Sequence, residues 1–482
     1  MKANGLLLPM CFVTTPTFGK EAHSVKRCIG KRRAYFERIS GILRESPLSA
    51  LRQMLPDNDI LSACGEVGHR YRNRVYDPVV TVFHYLLQAI QREESFAASW
   101  QELWANAALD LGLGNVPFSS SALSQARSRM SLSALEILVR RALAVKEQDS
   151  STWQGFRLLA LDCTTVSMPR EKELFEHFGV HKARRTTVRY PLGTFSSLLA
   201  VKSSHLVDYR FGPFDPGEMK TAIPLLDNLK KGDLLLADRH FAGSPTLART
   251  CVKGADFLMR KHGRLLVEKL HINKRLGPKD FLVEIPMSKI ASQNDPSLPG
   301  SVTVRIFKAS WMSPSGKRVR EWFVTSLKDR EQFPPTMLAR LYHERWRSET
   351  SYLEFKVFFH ADVLRSKTVT NITKEFTAHV LAYQLLRRLV AEAAKKHKKK
   401  PVQLSVLHAA RWVISFSARM SKAPAWKLPL IYQALLDAIA TTEVDIRLGR
   451  SEPRAITRER KHYPRLKITR SEWRQLYLKE TG

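Results

Sequence analysis

Two runs of sequence, Leu158-Leu159-Ala160-Leu161-Asp162 and Leu234-Leu235-Leu236-Ala237-Asp238, each place an aspartate directly after four apolar residues. Short continuous apolar runs are typical of strands that are buried on both faces of a sheet. A carboxylate at the end of such a strand is costly unless it is paired or bound to a metal ion. Two carboxylates at matching positions repel each other, and a divalent cation relieves that repulsion. The pair therefore indicates either a metal site or two separate acids in helix caps or turns.

The sequence around these runs alternates strand and helix patterns. The ranges 196–201 and 207–211 are predicted strands. Helical spacing of leucines predicts a helix over 218–230, and Lys231-Gly232 ends it. The middle of the chain is therefore predicted to be a mixed α+β core.

The first part of the chain is predicted to be mostly helical. Apolar residues recur at helical spacing in 79–87 and in 132–139. Ser119 and the two serines after it are a plausible helix start. The helix that follows carries Arg127 and Arg129, and it is either a DNA-contacting helix or an ordinary basic surface.

The remainder of the chain divides into regions with different sequence patterns. Short apolar runs alternate with Gly, Pro and Ser clusters in 252–330, which predicts a β-rich insertion, and helical spacing returns after it. A lysine-rich break at 395–401 precedes a basic tail. The predicted regions are 1–150 (helical, DNA-binding), 151–251 (first part of the core), 252–330 (β-rich insertion), 331–394 (second part of the core) and 395–482 (basic, helical).

Composition restricts the partner. The 482 residues include 78 Lys and Arg against 45 Asp and Glu, a net charge of +33. Such a charge repels itself within a compact chain, so it indicates a polyanionic partner. Nucleic acid is the leading candidate and an anionic membrane surface the weaker one. No run of about 18 apolar residues is present, which excludes a spanning helix. The five cysteines form no CxxC pair, so neither a zinc ribbon nor a disulfide framework is indicated.

A third acid lies on a helix further along. At about 100° per residue, Tyr342, Arg345, Glu349 and Lys356 share one polar stripe about 60° wide. The stripe is either the solvent face of the helix or a functional face. A second polar group, comprising His343, Glu344, Arg347, Ser351 and Glu354, already supplies a predicted solvent face. The stripe is therefore predicted to point into the protein.

The spacing Tyr342-x2-Arg345-x3-Glu349-x6-Lys356, with Trp346 after the arginine, resembles the Y-R-E-K signature of IS4-type bacterial insertion-sequence transposases. The motifs LALDCTTV around Asp162, GDLLLADR around Asp238 and RLGRSEPR at 447–454 agree with it. The resemblance covers at least residues 155–460 in order.

The resemblance implies an α+β fold with an RNase H-like mixed-sheet catalytic core, interrupted by the β-rich insertion and flanked by helical N- and C-terminal domains. Asp162, Asp238 and Glu349 would form a D-D-E triad that holds Mg²⁺, with Mn²⁺ as a substitute and two ions per site. Arg345, Lys356 and Tyr342, followed by Trp346, would contact phosphates beside the scissile bond.

Further DNA contacts follow from the same resemblance. Trp322 is similar to an insertion-domain tryptophan that stacks on a flipped base, although Trp311 is a rival and a core aromatic of the sheet is the plainer interpretation. Arg239 beside Asp238, and the basic loop residues Lys182, Arg184 and Arg185, would contact the DNA backbone.

The function expected from the resemblance is a transposase of the bacterial cytoplasm that binds the inverted repeats of its element, cleaves double-stranded DNA at their ends and joins them to a target. Pairing of two ends implies a homodimer. The alternatives are a DNA-binding protein without catalysis and a metal-dependent nuclease without strand transfer.

Overall fold

The computed structural model describes residues 49–71, 76–91, 119–144, 152–180, 190–214, 217–312, 318–358, 361–420 and 423–444, with a few residues near 475. The chain divides into two compact units, 1–309 with 321–444, and 310–320 with 445–482. The three acids and the elements below belong to the first unit, except for parts of two strands, β9 and β10. Within the described ranges, no helix combines the length and the apolar content needed to span a bilayer.

The strands of the described chain form one mixed sheet. They are β1 (Thr152–Trp153), β2 (Phe156–Ser167), β3 (Leu192–Ala200), β4 (Leu206–Pro213), β5 (Asp233–Ala237), β6 (Asp256–Arg260), β7 (His271–Gly277), β8 (Asp280–Pro286), β9 (Ser301–Met312) and β10 (Arg318–Thr325). Their order across the sheet is β4-β3-β2-β5-β6-β10-β9-β8-β7, and β1 pairs with β2.

The central strands give the fold its class. Strand β2 pairs antiparallel with β3 and parallel with β5, and β5 pairs parallel with β6. All five residues of β5 are buried, as expected of a continuous apolar strand between two neighbours. Three antiparallel strands followed by two parallel ones make up the RNase H-like core, so the predicted α+β fold class is confirmed.

Strand β6 departs from the predicted layout. The sequence analysis included residues 257–259 in the β-rich insertion, but they lie on β6, which pairs parallel with β5 in the core and antiparallel with β10 on its other side. A short apolar run has the same pattern in a core strand as in an insertion strand, which is why the sequence placed it wrongly. We propose that the insertion begins after Arg260.

Helices cover the sheet and form the flanking regions. They are α1 (Ser49–Arg52), α2 (Asp57–Glu66), α3 (Pro78–Gln91), α4 (Ser120–Arg129), α5 (Leu132–Leu143), α6 (Lys172–Phe178), α7 (Glu218–Ala222), α8 (Ser244–Val252), α9 (Lys289–Asn294), α10 (Pro335–Tyr342), α11 (Trp346–Leu353), α12 (Val369–Lys396), α13 (Val406–Met420) and α14 (Leu428–Ala440). The helix predicted over 218–230 is α7 followed by a 3-10 turn, Ile223–Asn228.

Helix α12 is the centre of the larger hydrophobic core. Its buried residues pack with those of α3 and α5 on one side and of α13 and α14 on the other. Phe376 on this helix contacts Phe195 of β3, with ring centroids 5.0 Å apart, and stacks on Phe211 of β4 at 4.1 Å. One helix thus joins the sheet to the helical regions before and after it.

The N-terminal helices confirm one prediction and change another. Ser119 caps α4, since its hydroxyl accepts a hydrogen bond from the Ala122 amide at 3.1 Å. Arg127 is buried, donates to Gln88 Oε1 at 2.6 Å, and lies over the Tyr85 ring at 3.8 Å. Arg127 is therefore neither a DNA contact nor a surface residue but a connection between α4 and α3.

The helix with the Y-R-E-K residues is not a uniform α-helix. Between α10 and α11 lies a 3-10 turn, His343–Arg345, and α11 continues into a π turn, Glu354–Phe358. The predicted solvent face is wrong at Ser351 and Glu354, which are buried, while Leu353 is 52% exposed. The changes in helical pitch, together with packing against both β2 and α12, rotate these positions away from the angles of a regular helix.

A buried ion pair fastens the π turn to α12. Arg387 donates to the Glu354 carboxylate and, through Nε, to the Tyr383 hydroxyl at 3.1 Å. Burial alone would lower the pKa of Arg387, but Glu354 raises it above its ordinary value. Both side chains are almost inaccessible to solvent, so neither charge can be solvated if its partner is removed.

Glu354→Ala should lower the free energy of unfolding by about 3–5 kcal/mol, because it leaves the Arg387 charge buried without its carboxylate. Equilibrium unfolding in urea, followed by tryptophan fluorescence, measures the loss. The exposed Glu176 is the control, and Glu176→Ala should change stability by no more than about 0.5 kcal/mol. Similar losses in the two variants would show that the buried pair does not stabilise the fold.

Candidate active site

The two aspartates lie side by side on neighbouring parallel strands. In the register of β2 with β5, Leu161 pairs with Ala237, and the next residues along the two strands are Asp162 and Asp238. Neighbouring strands are about 4.8 Å apart, so the two carboxylates start from adjacent main-chain positions. The sequence expectation that the two apolar runs bring their acids together is met by this register.

The two acids nevertheless occupy different local settings. Strand β2 continues to Ser167, so Asp162 is not at a strand end as the sequence suggested; it lies where the pairing with β5 stops. Its Oδ1 accepts a hydrogen bond from the Cys163 amide at 2.9 Å. Asp238 does end its strand, and its Oδ1 accepts from the Arg239 amide at 2.6 Å as the cap of a 3-10 turn. The cap and metal interpretations of Asp238 are compatible, because a second oxygen remains on the carboxylate.

Arg345 connects the third acid to the first. Its Nη2 lies 2.8 Å from Glu349 Oε1 and its Nη1 lies 3.4 Å from Asp162 Oδ2. The Arg345 side chain is 9% exposed, whereas that of Glu349 is 40% exposed. Helix α11 therefore presents Glu349 to β2, with a guanidinium between the two carboxylates.

The donor set suits a hard divalent cation. All three acids offer carboxylate oxygens, the ligands that Mg²⁺ and Mn²⁺ prefer. In the described part of the chain, no group of three or more His, Cys, Asp and Glu side chains lies close enough together to hold a metal ion. The Arg345 guanidinium takes up the space between Asp162 and Glu349. The residues fit a metal by their chemistry, and Arg345 must turn aside for the carboxylates to converge.

Tyr342 belongs to the same cluster. It is 5% exposed, and the Arg345 guanidinium carbon lies 5.8 Å from the centre of its ring. Burial raises the pKa of Tyr342 to about 12; the Arg345 charge opposes this rise, and the Asp238 charge adds to it. The phenol therefore stays protonated at neutral pH and lies within electrostatic reach of the second aspartate.

The Arg345 side chain likewise keeps its charge. Burial alone would lower the pKa of Arg345, but Tyr342, Glu349 and Asp162 raise it above its ordinary value. Lys356 is half-buried in the π turn, and burial lowers its pKa while Asp362 raises it. The predicted polar stripe does face the protein for Tyr342 and Arg345, and partly for Glu349 and Lys356.

Two of the other predicted DNA contacts lie near β10, Arg239 in the 3-10 turn after β5 and Trp322 on β10 itself. Arg239, directly after Asp238, is exposed and lies 3.8 Å from the Glu321 carboxylate on β10. Trp322, the next residue on β10, is half-buried and stacks on Phe281 with ring centroids 6.5 Å apart. Lys308 lies 5.7 Å above the Trp322 ring. Trp322 thus packs against the insertion sheet while part of its surface remains accessible.

The remaining predicted contacts lie outside the described part of the structure. The basic loop with Lys182, Arg184 and Arg185 falls in the range 181–189, which is not described. Trp346 begins α11, but its side chain and that of Arg347 are also outside the description. Their roles stay predictions.

One residue of the site was missed by the sequence analysis. The Tyr352 hydroxyl donates a hydrogen bond to the main-chain carbonyl of Asp162 and lies 2.8 Å from Ser197 Oγ. Tyr352 follows Glu349 by three residues on the same helix, a spacing that places both on one face. That spacing was the only available signal, and a core tyrosine gives the same pattern.

Comparisons with known proteins agree with this arrangement. Residues 153–385 match the family described as the transposase DDE domain. The transposase InsG of insertion sequence element IS4 from Escherichia coli strain K12 is 25% identical over 433 residues, which cover 87% of this chain and 94% of that protein. The chain is therefore similar to the IS4-type DDE transposases.

The matched range contains all three acids and runs from β1 into α12. A solved structure, the piggyBac transposase synaptic complex with hairpin DNA, is similar with a TM-score of 0.44 and 10% identity, over 84% of this chain and 87% of that one. Enzymes of the DDE family generally use divalent metal ions.

Asp162→Ala, Asp238→Ala and Glu349→Ala should each lower DNA cleavage by more than about 100-fold, the scale of losing one electrostatic group from an active site. Binding of a terminal-repeat duplex should change little, because affinity comes from phosphate contacts elsewhere. Gel-shift and nicking assays on the same preparations measure both. Asp227→Ala, which alters an exposed acid paired with Lys253, is the control. Cleavage within tenfold of wild type would remove that acid from the triad.

Proposed function

We propose that this transposase binds the terminal inverted repeats of its insertion sequence, cleaves the DNA at their ends and joins them to target DNA by metal-dependent phosphoryl transfer. The observation that carries the proposal is the register of β2 with β5, which puts Asp162 and Asp238 side by side, with Glu349 facing them from α11. Membership of the family supports cleavage and strand transfer as the reaction class.

Asp162, Asp238 and Glu349 would hold the metal, which would be Mg²⁺ with Mn²⁺ as a substitute, at two ions per site as in two-metal phosphoryl-transfer enzymes. Bound ions of this kind activate the attacking oxygen and stabilise the leaving oxygen of an in-line displacement at phosphorus. When the carboxylates bind the metal, Arg345 would release them and bind another anion. A DNA phosphate offers two oxygens to its fork of N–H donors.

Three groups support binding of the scissile region. Arg345 carries a positive charge next to Glu349, and the protonated Tyr342 hydroxyl belongs to the same cluster. Lys356 adds a second positive charge in the π turn that follows the helix of Glu349. These groups would contact the phosphates that flank the reacting bond. Arg239 lies one residue beyond Asp238 and would contact the same strand of DNA.

A wider DNA footprint accounts for the net charge of +33. Lys182, Arg184 and Arg185 would contact the backbone, and Trp322 would stack on a displaced base through its accessible face. In the N-terminal helical region, a cleft of about 380 Å³ has Arg70, Arg129 and Tyr71 in its lining, a composition that suits DNA. Synapsis of two ends would require a homodimer, and the site of action would be the bacterial cytoplasm.

Incubation of the full chain with a duplex that carries one terminal repeat and a supercoiled target tests the function. Mg²⁺ or Mn²⁺ should give cleaved ends and joined products, whereas Ca²⁺ should support binding with little cleavage, since the three acids form a hard-oxygen site. Cleavage in excess EDTA would contradict the metal-dependent reaction. Cleaved ends without any joined product would instead indicate a nuclease.

Arg345→Ala and Lys356→Ala should each lower single-turnover cleavage by about 100- to 1,000-fold, and they should lower end binding much less, because charge that meets the developing phosphorane acts on the barrier. Saturating enzyme on a labelled terminal-repeat duplex measures the rate, and a gel shift measures binding. Arg340→Ala is the matched control. Arg340 is exposed on α10, and its substitution removes the same charge from a nearby position. Equal damage from all three variants would mean that the charge acts only on overall affinity.

A further inference from the structure

The Tyr352 hydroxyl joins the two secondary-structure elements that carry the first and third acids. It donates its proton to the main-chain carbonyl of Asp162 on β2. Because that proton is committed, the Ser197 hydroxyl at 2.8 Å donates to the Tyr352 oxygen. Ser197 is the residue that pairs with Asp162 across β2 and β3. The phenol oxygen of α11 is therefore anchored at the strand position of Asp162 from two sides.

The anchor is buried and packed in the core. Tyr352 is 8% exposed, and its ring meets the Phe195 ring edge to face with centroids 5.5 Å apart.

Glu349 lies three residues before Tyr352, about 4.5 Å along the helix axis at 1.5 Å per residue. The Tyr352 hydrogen bond thus fixes the turn of α11 that presents Glu349. The Arg345 bridge from Asp162 to Glu349 also joins these acids, and it uses the carboxylates themselves. That bridge has to open when the carboxylates take a metal, whereas the Tyr352 contact uses the main chain and can persist.

We propose that Tyr352 is a positioning residue that sets the separation of Asp162 and Glu349 and, through that separation, the affinity of the site for divalent cations. The inference rests on the proposed function of the three acids. Residues that orient metal ligands from behind typically change metal affinity or activity by about 10- to 100-fold when they are replaced. If the hydroxyl had only a structural role, its removal would lower the stability of the protein and leave the metal affinity unchanged.

The test compares Tyr352→Phe with wild type in the full chain bound to a terminal-repeat duplex. Mn²⁺ affinity is measured from the electron paramagnetic resonance signal of free Mn²⁺, and the Mn²⁺ concentration for half-maximal cleavage is measured separately. The Mn²⁺ dissociation constant and the Mn²⁺ concentration for half-maximal cleavage should each rise about tenfold in Tyr352→Phe, while cleavage at saturating Mn²⁺ should recover to within a few-fold of wild type. Ser197→Ala, which keeps the phenol and removes its second contact, should shift both values in the same direction by less.

Thr325→Val is the matched control. The buried Thr325 hydroxyl also donates to a main-chain carbonyl of a core strand, that of Phe257 on β6, at 2.6 Å. Its removal should lower the thermal midpoint of unfolding without changing the Mn²⁺ response. Wild-type Mn²⁺ affinity in Tyr352→Phe, with only the unfolding midpoint lowered, would overturn the inference. Failure of the wild-type chain to cleave would overturn the proposed function instead, and the Mn²⁺ affinities would still decide the role of Tyr352.

Discussion

The parallel pairing of β2 with β5 is the constraint on which the rest of the structure depends. Parallel strands run in one direction, so residues that follow matched positions emerge at the same edge, and here both are aspartates. Buried apolar residues hold this pair of strands together, which fixes the two like charges next to each other whether or not their repulsion is relieved. The 3-10 turn before α11 provides part of that relief, because it brings the Arg345 guanidinium to Asp162. Helix α12 holds the π turn beyond α11 through the buried Glu354–Arg387 pair.

The Arg345 guanidinium among the acids reconciles two opposing requirements. The carboxylates have to be preorganised for a metal, but a cluster of unneutralised acids would destabilise the fold before a metal arrives. Arg345 neutralises part of that charge from within the same helix as Glu349, and its own burial is compensated by these acids. The Arg345 guanidinium can also bind a phosphate, so the DNA phosphate and the carboxylates compete for this one guanidinium.

Sequence alone predicted the fold class correctly, because continuous apolar strands are a strong local pattern, and the Y-R-E-K spacing led to the prediction of the three acids. It failed where local pattern and tertiary context diverge. Residues 257–259 have the same composition whether β6 belongs to the core or to the insertion, and only pairing decides between them. A regular wheel could not predict burial of Ser351 and Glu354, because the 3-10 and π turns alter the rotation per residue. Tyr352 carried only the unspecific signal of its spacing from Glu349, since its role depends on a main-chain carbonyl that is distant in sequence.

The place of β6 between β5 and β10 has a consequence for the order in which the chain is built. One edge of β6 is covered by β5, which precedes it, but the other edge is covered only by β10, which follows the entire β7–β9 region. While the ribosome synthesises that region, the nascent core presents an exposed row of amide and carbonyl groups, the kind of edge that recruits strands from other chains. Completion of the insertion is therefore also the event that closes the catalytic sheet, so a chain truncated within it would be left with an open and aggregation-prone core.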